Sequence, residues 1–268
     1  MSELIITQEN FHSFVEPPPG FTKGLILRDW EKFPVGSVEG MPEYGDTFRD
    51  ESLIPRAEWP DLIADMERKK ERLSDLCIYE GIKTKDQNGT NFCHANSPAL
   101  AVEILRAVMG LPYVELSPGF LGSIVTNGRN VGAWIIDDLK ASREHGFAPI
   151  SMVPANFVGL DFKTGAREEA KKYKVEEWID FPRARDGKAF DRLMTCLFRR
   201  LPVCTAHNWW SHAVTALDPV MKGKEFGARF RNSWGKNYGT DGYFVMMEAK
   251  ATPDEAYAPR VATVGVRS

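Results

Sequence analysis

Apolar positions recur at helical spacing through the middle of the chain and give way to short, turn-bounded runs near its end. The stretch P-D-L-I-A-D-M-E-R-K-K-E-R-L-S-D at 60–75 predicts a helix. Pro60 and Asp61 suit a first turn, and Leu62, Ile63, Met66 and Leu73 form an apolar stripe. Its E-R-K-K-E-R run reads as a solvated face with i,i+4 charge pairs. A second helix is predicted from Cys93 to Met109, with Ala95, Ala99, Leu100, Val102, Ile104 and Leu105 as apolar positions. Pro98 is tolerated in its first turns, and Gly110 ends it. Further helices are predicted at 133–145, ended by Gly146, and at 186–200, where Phe190, Leu193, Met194, Leu197 and Phe198 share a face. The runs L-P-V-C-T-A-H, H-A-V-T-A-L, F-G-A-R-F-R-N-S and G-Y-F-V-M-M-E then read as strands. Helices first and strands later predict an α+β architecture, a helical lobe against a sheet lobe.

Residues 1–50 differ. P-P-P-G at 17–20, then Pro34, Gly36, Gly40, Pro42 and Gly45, stop regular elements from running far. Yet Phe11, Phe14, Phe21, Leu25, Ile26, Leu27, Trp30 and Phe33 are too many apolar groups for a disordered tail. The expectation is an irregular arm at 1–50 that packs on the body or on a partner chain. A body follows at 51–250, mainly helical to 150 and mainly sheet after it, with a tail at 251–268.

Composition narrows the function. The 268 residues carry a net charge of -3, which argues against a nucleic-acid partner. No apolar run approaches a membrane span, and M-S-E-L-I-I-T-Q-E-N lacks the basic and apolar regions of a secretory signal. Cys77, Cys93, Cys196 and Cys204 show no C-x-x-C spacing, so neither a metal site, a cofactor nor a disulfide framework is expected. A reducing compartment, the cytoplasm, follows as the expected location.

The richest chemistry lies in Q-N-G-T-N-F-C-H-A-N-S-P-A at 87–99. A thiol at a helix start meets the positive end of the helix dipole, which favours the thiolate. Gln87, six residues earlier, can offer an amide N–H to a developing oxyanion. A nucleophilic Cys93 needs a base, and the base needs an orienter. His12 lies in the arm, and His145 near a helix end. His94 points about 100° away from its neighbour Cys93. His207 reads as a turn or rim residue. His212 opens a strand, which would hold it rigidly. Asn232 could fix the His212 tautomer, and Trp234 could shield that bond from water. Each of these residues also has an ordinary structural reading; their chain order gives the set its meaning.

Gln, Cys, His and Asn in this order, with these neighbours, resemble the papain-like (C1) cysteine peptidases. D-Q-N-G-T-N-F-C-H-A-N-S resembles the nucleophile block, S-H-A-V-T-A-L the His strand, and R-N-S-W-G-K-N-Y-G-T-D-G-Y-F-V the Asn block. The resemblance covers about 52–250 and implies a two-lobe fold, with the nucleophile helix packed against an antiparallel sheet lobe and a catalytic cleft between them. It implies Cys93 as nucleophile, His212 as base and then acid, Asn232 as orienter, and Gln87 with the Cys93 backbone N–H as oxyanion hole. Trp234 would cover the His–Asn bond, and Gly132 would dock an extended peptide. The implied reaction is amide hydrolysis through a thioester, on a protein or peptide substrate. There are departures. His94 stands where the family usually has Trp. Val131 replaces the first glycine of a pair and would crowd the groove. Ser211 precedes the His after a short strand connection, which would leave that side of the cleft open. The helical inhibitory propeptide of secreted relatives is not recognisable in 1–50. The alternative reading is an assembly component, of a bacteriophage or other large particle, that keeps the fold with weak or no activity and uses 1–50 for protein or self contacts.

Overall fold

The computed structural model describes residues 3–27, 45–47, 52–181 and 187–263. The arm positions Trp30, Phe33, Pro34, Gly36, Gly40 and Pro42 lie outside the described residues. The arm opens with strand β1 (Ile5–Ile6) and a 3-10 turn at Phe11–Phe14, and later supplies strand β2 (Gly45–Thr47).

The helix expected over 60–75 is two helices, α1 (Trp59–Lys69) and α2 (Leu73–Tyr79). Lys70 breaks them, with left-handed backbone at φ 55 and its N–H capping the Met66 and Glu67 carbonyls. Packing explains the break. Trp59 and Ile63 bury in the sheet-lobe core, whereas Leu73 and Cys77 bury beside Leu100, Ile104 and Leu217. No apolar position between Met66 and Leu73 holds a straight helix to one core.

Helix α3 (Cys93–Val108) is buried from Cys93 through Ala107, so its pattern is apolar nearly all round. Met109 caps it, and Gly110 follows at φ 70, as its sequence predicts. Helix α4 (Pro118–Val125) starts at Ser117, whose Oγ accepts from the Phe120 N–H at 3.1 Å and donates to the Pro154 carbonyl at 2.9 Å. Ser117→Ala is expected to lower unfolding stability by about 1–2 kcal/mol, measured by urea denaturation, because one orphan helix donor loses its acceptor. Helix α5 (Ile135–His145) ends at Gly146, and a short α6 (Ala166–Ala170) precedes strand β3 (Val175–Asp180).

Helix α7 (Ala189–Phe198) then leads into β4 (Val203–His207), β5 (His212–Lys222), β6 (Glu225–Arg231) and β7 (Tyr243–Met247). The short α8 (Glu248–Ala251) joins β7 to β8 (Glu255–Ala262). The sheet order is β1-β7-β6-β5-β4-β8-β3-β2. The sheet therefore continues past the expected boundary at 250, with β8 inserted between β4 and β3 rather than trailing as a tail. Its inner pairings are antiparallel, while β1 on β7 and β2 on β3 are parallel. Both edge strands come from the arm, so segments of the first 50 residues close the sheet at each side.

The second core surrounds α3 and α5 and reaches the sheet through Trp178, Ala206, Ala213 and Tyr257. Two polar contacts fix α3 against β5: Ser97 Oγ donates to the Val214 carbonyl at 3.0 Å, and Thr215 Oγ1 to the Ser97 carbonyl at 3.1 Å. These lie one turn from Cys93 on the helix and within three residues of His212 on the strand.

Candidate active site

Cys93 opens α3, and its side chain is fully buried. Before it, Lys85 and Gln87 anchor the incoming loop. Lys85 Nζ bonds buried Glu103 Oε1 at 2.5 Å and the Leu116 carbonyl at 2.9 Å, which ties the loop to the middle of α3. Gln87 donates its backbone N–H to the Ser233 carbonyl at 2.7 Å, and its Oε1 accepts from Ser233 Oγ at 2.6 Å. With the carbonyl oxygen so committed, the Gln87 amide nitrogen faces the other way, toward the cleft.

His212 begins β5, in register with His207 across the β4–β5 hairpin. Its Nε2 lies 2.8 Å from Asn232 Oδ1, which also accepts the Ser233 N–H at 2.7 Å. An amide oxygen accepts, so Nε2 carries the proton and Nδ1 is left for the thiol. Trp234 stacks on the imidazole, centroids 4.3 Å apart and planes 22° apart, and Trp210 meets it edge-on at 4.9 Å. Water is thereby kept off the His212–Asn232 bond, which strengthens it. The structure brings Gln87, Cys93, His212, Asn232 and Trp234 together from separate stretches of the chain.

His207 is not a rim residue. It is fully buried, with Nε2 3.1 Å from Thr205 Oγ1 and its ring edge-on to Phe230. His12 and His145 lie on the surface side of the arm and of α5. Ser211 sits in the hairpin turn at φ 52, immediately before His212. Val131 is 41% exposed at the rim and lines, with Ile26, Gly132, Ala133 and Trp134, a cavity of about 540 Å³ that continues the groove.

The cleft contains the chain's own arm. The Thr22 carbonyl accepts from Gln87 Nε2 at 2.8 Å and from Trp234 Nε1 at 3.2 Å. The Gly24 N–H points at Cys93 Sγ, 3.3 Å away. The Gly24 carbonyl accepts from the Ala133 N–H at 3.0 Å, and the Ile26 N–H donates to the Ala133 carbonyl at 3.2 Å. Residues 24–26 thus dock as a parallel bridge at Leu25 and Ala133. Ala133 makes the hydrogen bonds expected of Gly132, and Gly132 supplies clearance: a Cβ there would lie 2.2 Å from the Gly24 carbonyl oxygen. Leu25, 8% exposed, joins the buried cluster of Cys93, Ala206 and Ala213, on the side of the cleft expected to be open. Lys23 is pinned by its Nζ to the Val15 carbonyl at 2.9 Å.

This closed arrangement sets the charges. Burial pushes the Cys93 thiol up to about 11, against the pull of N–H donors from Ala213, Gly24 and His94, and Asp138 adds to the rise. Burial pushes His212 down to about 3; the Asn232 bond opposes this and the Lys23 ammonium reinforces it. Among the described residues, His212 Nδ1 has no hydrogen-bond partner. With the arm in place, the pair is neutral thiol and neutral imidazole between those limits.

No protein-family model matches the sequence, and no curated protein matches it. Solved structures do. Digestive procathepsin L 3 of Tenebrio molitor larval midgut superimposes with a TM-score of 0.58 at 17% identity, over 67% of this chain and 66% of that one. Xylellain, a cysteine protease from Xylella fastidiosa, gives 0.54 at 22% identity, over 69% and 84%. Procathepsin B S9 from Trypanosoma congolense gives 0.60 at 13% identity, over 91% and 87%. The chain has the papain-like fold that these cysteine proteases show, at 13–22% sequence identity to them.

Proposed function

We propose that the chain is a cysteine peptidase held latent by its own N-terminal segment. The observation that carries this is the arm: an extended peptide lies in the groove and engages the candidate nucleophile, the oxyanion donor and the docking edge at once. The contact favours an inhibitor over a substrate, because Cys93 Sγ faces an N–H where a substrate must present a carbonyl carbon.

With the arm displaced, a peptide carbonyl takes the place of the Thr22 carbonyl beside Gln87 Nε2. His212 Nδ1 accepts the thiol proton, and Sγ attacks the carbonyl carbon. Gln87 Nε2 and the Cys93 backbone N–H hold the oxyanion. The imidazolium, oriented by Asn232, gives its proton to the leaving amine, and a thioester remains. Water, deprotonated by His212, then attacks the thioester carbonyl. The tetrahedral intermediate collapses, breaking the C–S bond, and the product acid and the thiol are restored.

A peptidyl epoxide added at neutral pH is expected to alkylate Cys93 and none of the other cysteines, located by peptide mapping. Proteolysis of a peptide library is expected to require Cys93. Cutting by a purified Cys93→Ala chain, or a folded Gly24→Val chain never labelled at Cys93, would overturn the reading.

A further inference from the structure

The helix that carries Cys93 continues with a second ionisable residue. His94 is fully buried, and its Nδ1 lies 2.6 Å from Oδ2 of Asp138, also fully buried, in the first turns of α5. Among the described residues, the other polar atoms of the pair, His94 Nε2 and Asp138 Oδ1, have no further hydrogen-bond partner. Both side chains are fully buried, so losing either one strands the polar atoms of the other away from bulk solvent.

Its location gives it a task. His94 adjoins the candidate nucleophile. Asp138, in the first turn of α5, lies five residues beyond Ala133, the residue that hydrogen-bonds the peptide in the groove. The route from Cys93 through His94 and Asp138 to Ala133 thus joins the two fixed points a bound peptide must meet. A second tether runs outside it, where Asn91 and Asn130 share bonds of 2.7 and 2.9 Å, but that one is exposed. Apolar contacts between α3 and α5 allow the helices to slide, whereas a directional bond fixes their register.

We propose that the buried His94–Asp138 pair is a spacer that sets the separation between Cys93 and the Gly132–Ala133 edge, so that both are positioning residues for any peptide in the groove. The inference deepens the peptidase reading, yet its test needs no hydrolysis, because the arm is itself a peptide spanning both points.

The experiment is a cycle between Asp138 and Gly24, read as the rate of iodoacetamide labelling at Cys93 in the full chain. Asp138→Leu breaks the pair and is expected to raise labelling about tenfold, the equivalent of one arm hydrogen bond. In a Gly24→Val chain, where the arm is already out of the groove, the same substitution is expected to change little. Asp138→Asn keeps an acceptor for the imidazole N–H and is expected to stay near the native rate. Buried Cys196, in the sheet-lobe core, reports global opening in the same digest. A merely structural role predicts an equal rise in both backgrounds, together with a rise at Cys196. That result, or no rise in the full chain, overturns the proposal.

Discussion

Gly24→Val is expected to free the nucleophile, raising iodoacetamide labelling of Cys93 by about a hundredfold at roughly neutral pH, through the loss of the arm's hydrogen bonds. The reason is steric and local. A Cβ at Gly24 would sit 1.6 Å from the Asn91 carbonyl oxygen, and that obstacle is backbone, which cannot rotate away. From the other side, the Gly24 carbonyl already lies within 2.2 Å of the place a Gly132 Cβ would take. The arm is clamped between two backbones at a glycine, so any side chain there expels it. Release of residues 24–26 loses the Gly24 bond to Sγ and the bonds of Gly24 and Ile26 with Ala133. At roughly 1 kcal/mol each this sums to about 2–3 kcal/mol, or around two orders of magnitude in the open population. The measurement is the labelling rate at Cys93, with Cys196 as the control for unfolding. A folded Gly24→Val chain that labels at the native rate would show that the arm does not control access.

The same residues explain what can and cannot be read from the sequence. The spacing of Gln87 and Cys93, the strand beginning at His212 and the block around Asn232 are legible because each sits in a regular element or a tight turn with a local pattern. The arm is not. Its contacts run through backbone groups of Thr22, Gly24 and Ile26, which leave no side-chain periodicity, and only the glycine within F-T-K-G-L-I-L hints at close approach. Asp138 has the look of a first-turn acid suited to the helix dipole, and nothing local pairs it with His94, 44 residues away. The Lys70 break is hidden because a charged run with good helix formers carries no breaker, and the reason for stopping lies in two different cores. Strand β8 is masked by Pro259, which opposes Trp178 next to a register shift, where a ladder tolerates proline. His207 takes its rim-like appearance from the turn beside it, although its own strand buries it.

Acid is expected to open the arm as well, through His212. In the closed form this imidazole is held down at about 3, whereas an ordinary histidine titrates near 6.5. Once the arm and the Lys23 ammonium leave, water reaches the ring and its proton affinity recovers. The open form therefore binds the proton more tightly. The arm's stability is fully present above about pH 6.5 and is lost as pH falls from there toward about 3, by up to about tenfold per pH unit. Between about pH 6.5 and pH 5 the open population should grow by about fifteenfold. Asp138, Glu103 and Asp218 are pushed the opposite way, upward by burial. Their partners lie in the body, however: His94 for Asp138, Lys85 and the Leu116 N–H for Glu103, and Ser74 and Arg229 for Asp218. Protonation of Glu103 and Asp218 therefore acts on the body rather than on the groove. His207 is also held down to about 3, but inside the sheet, so its cost falls on global unfolding. Hydrogen exchange separates the two. Protection of the Gly24 and Ile26 amides, corrected for intrinsic rates, should fall between about pH 7 and pH 5 while β5 amides stay protected. His212→Gln should abolish the dependence. If Gly24 and Ile26 keep equal protection at both pH values, or lose it equally in His212→Gln, the imidazole is not the group that couples acid to the arm.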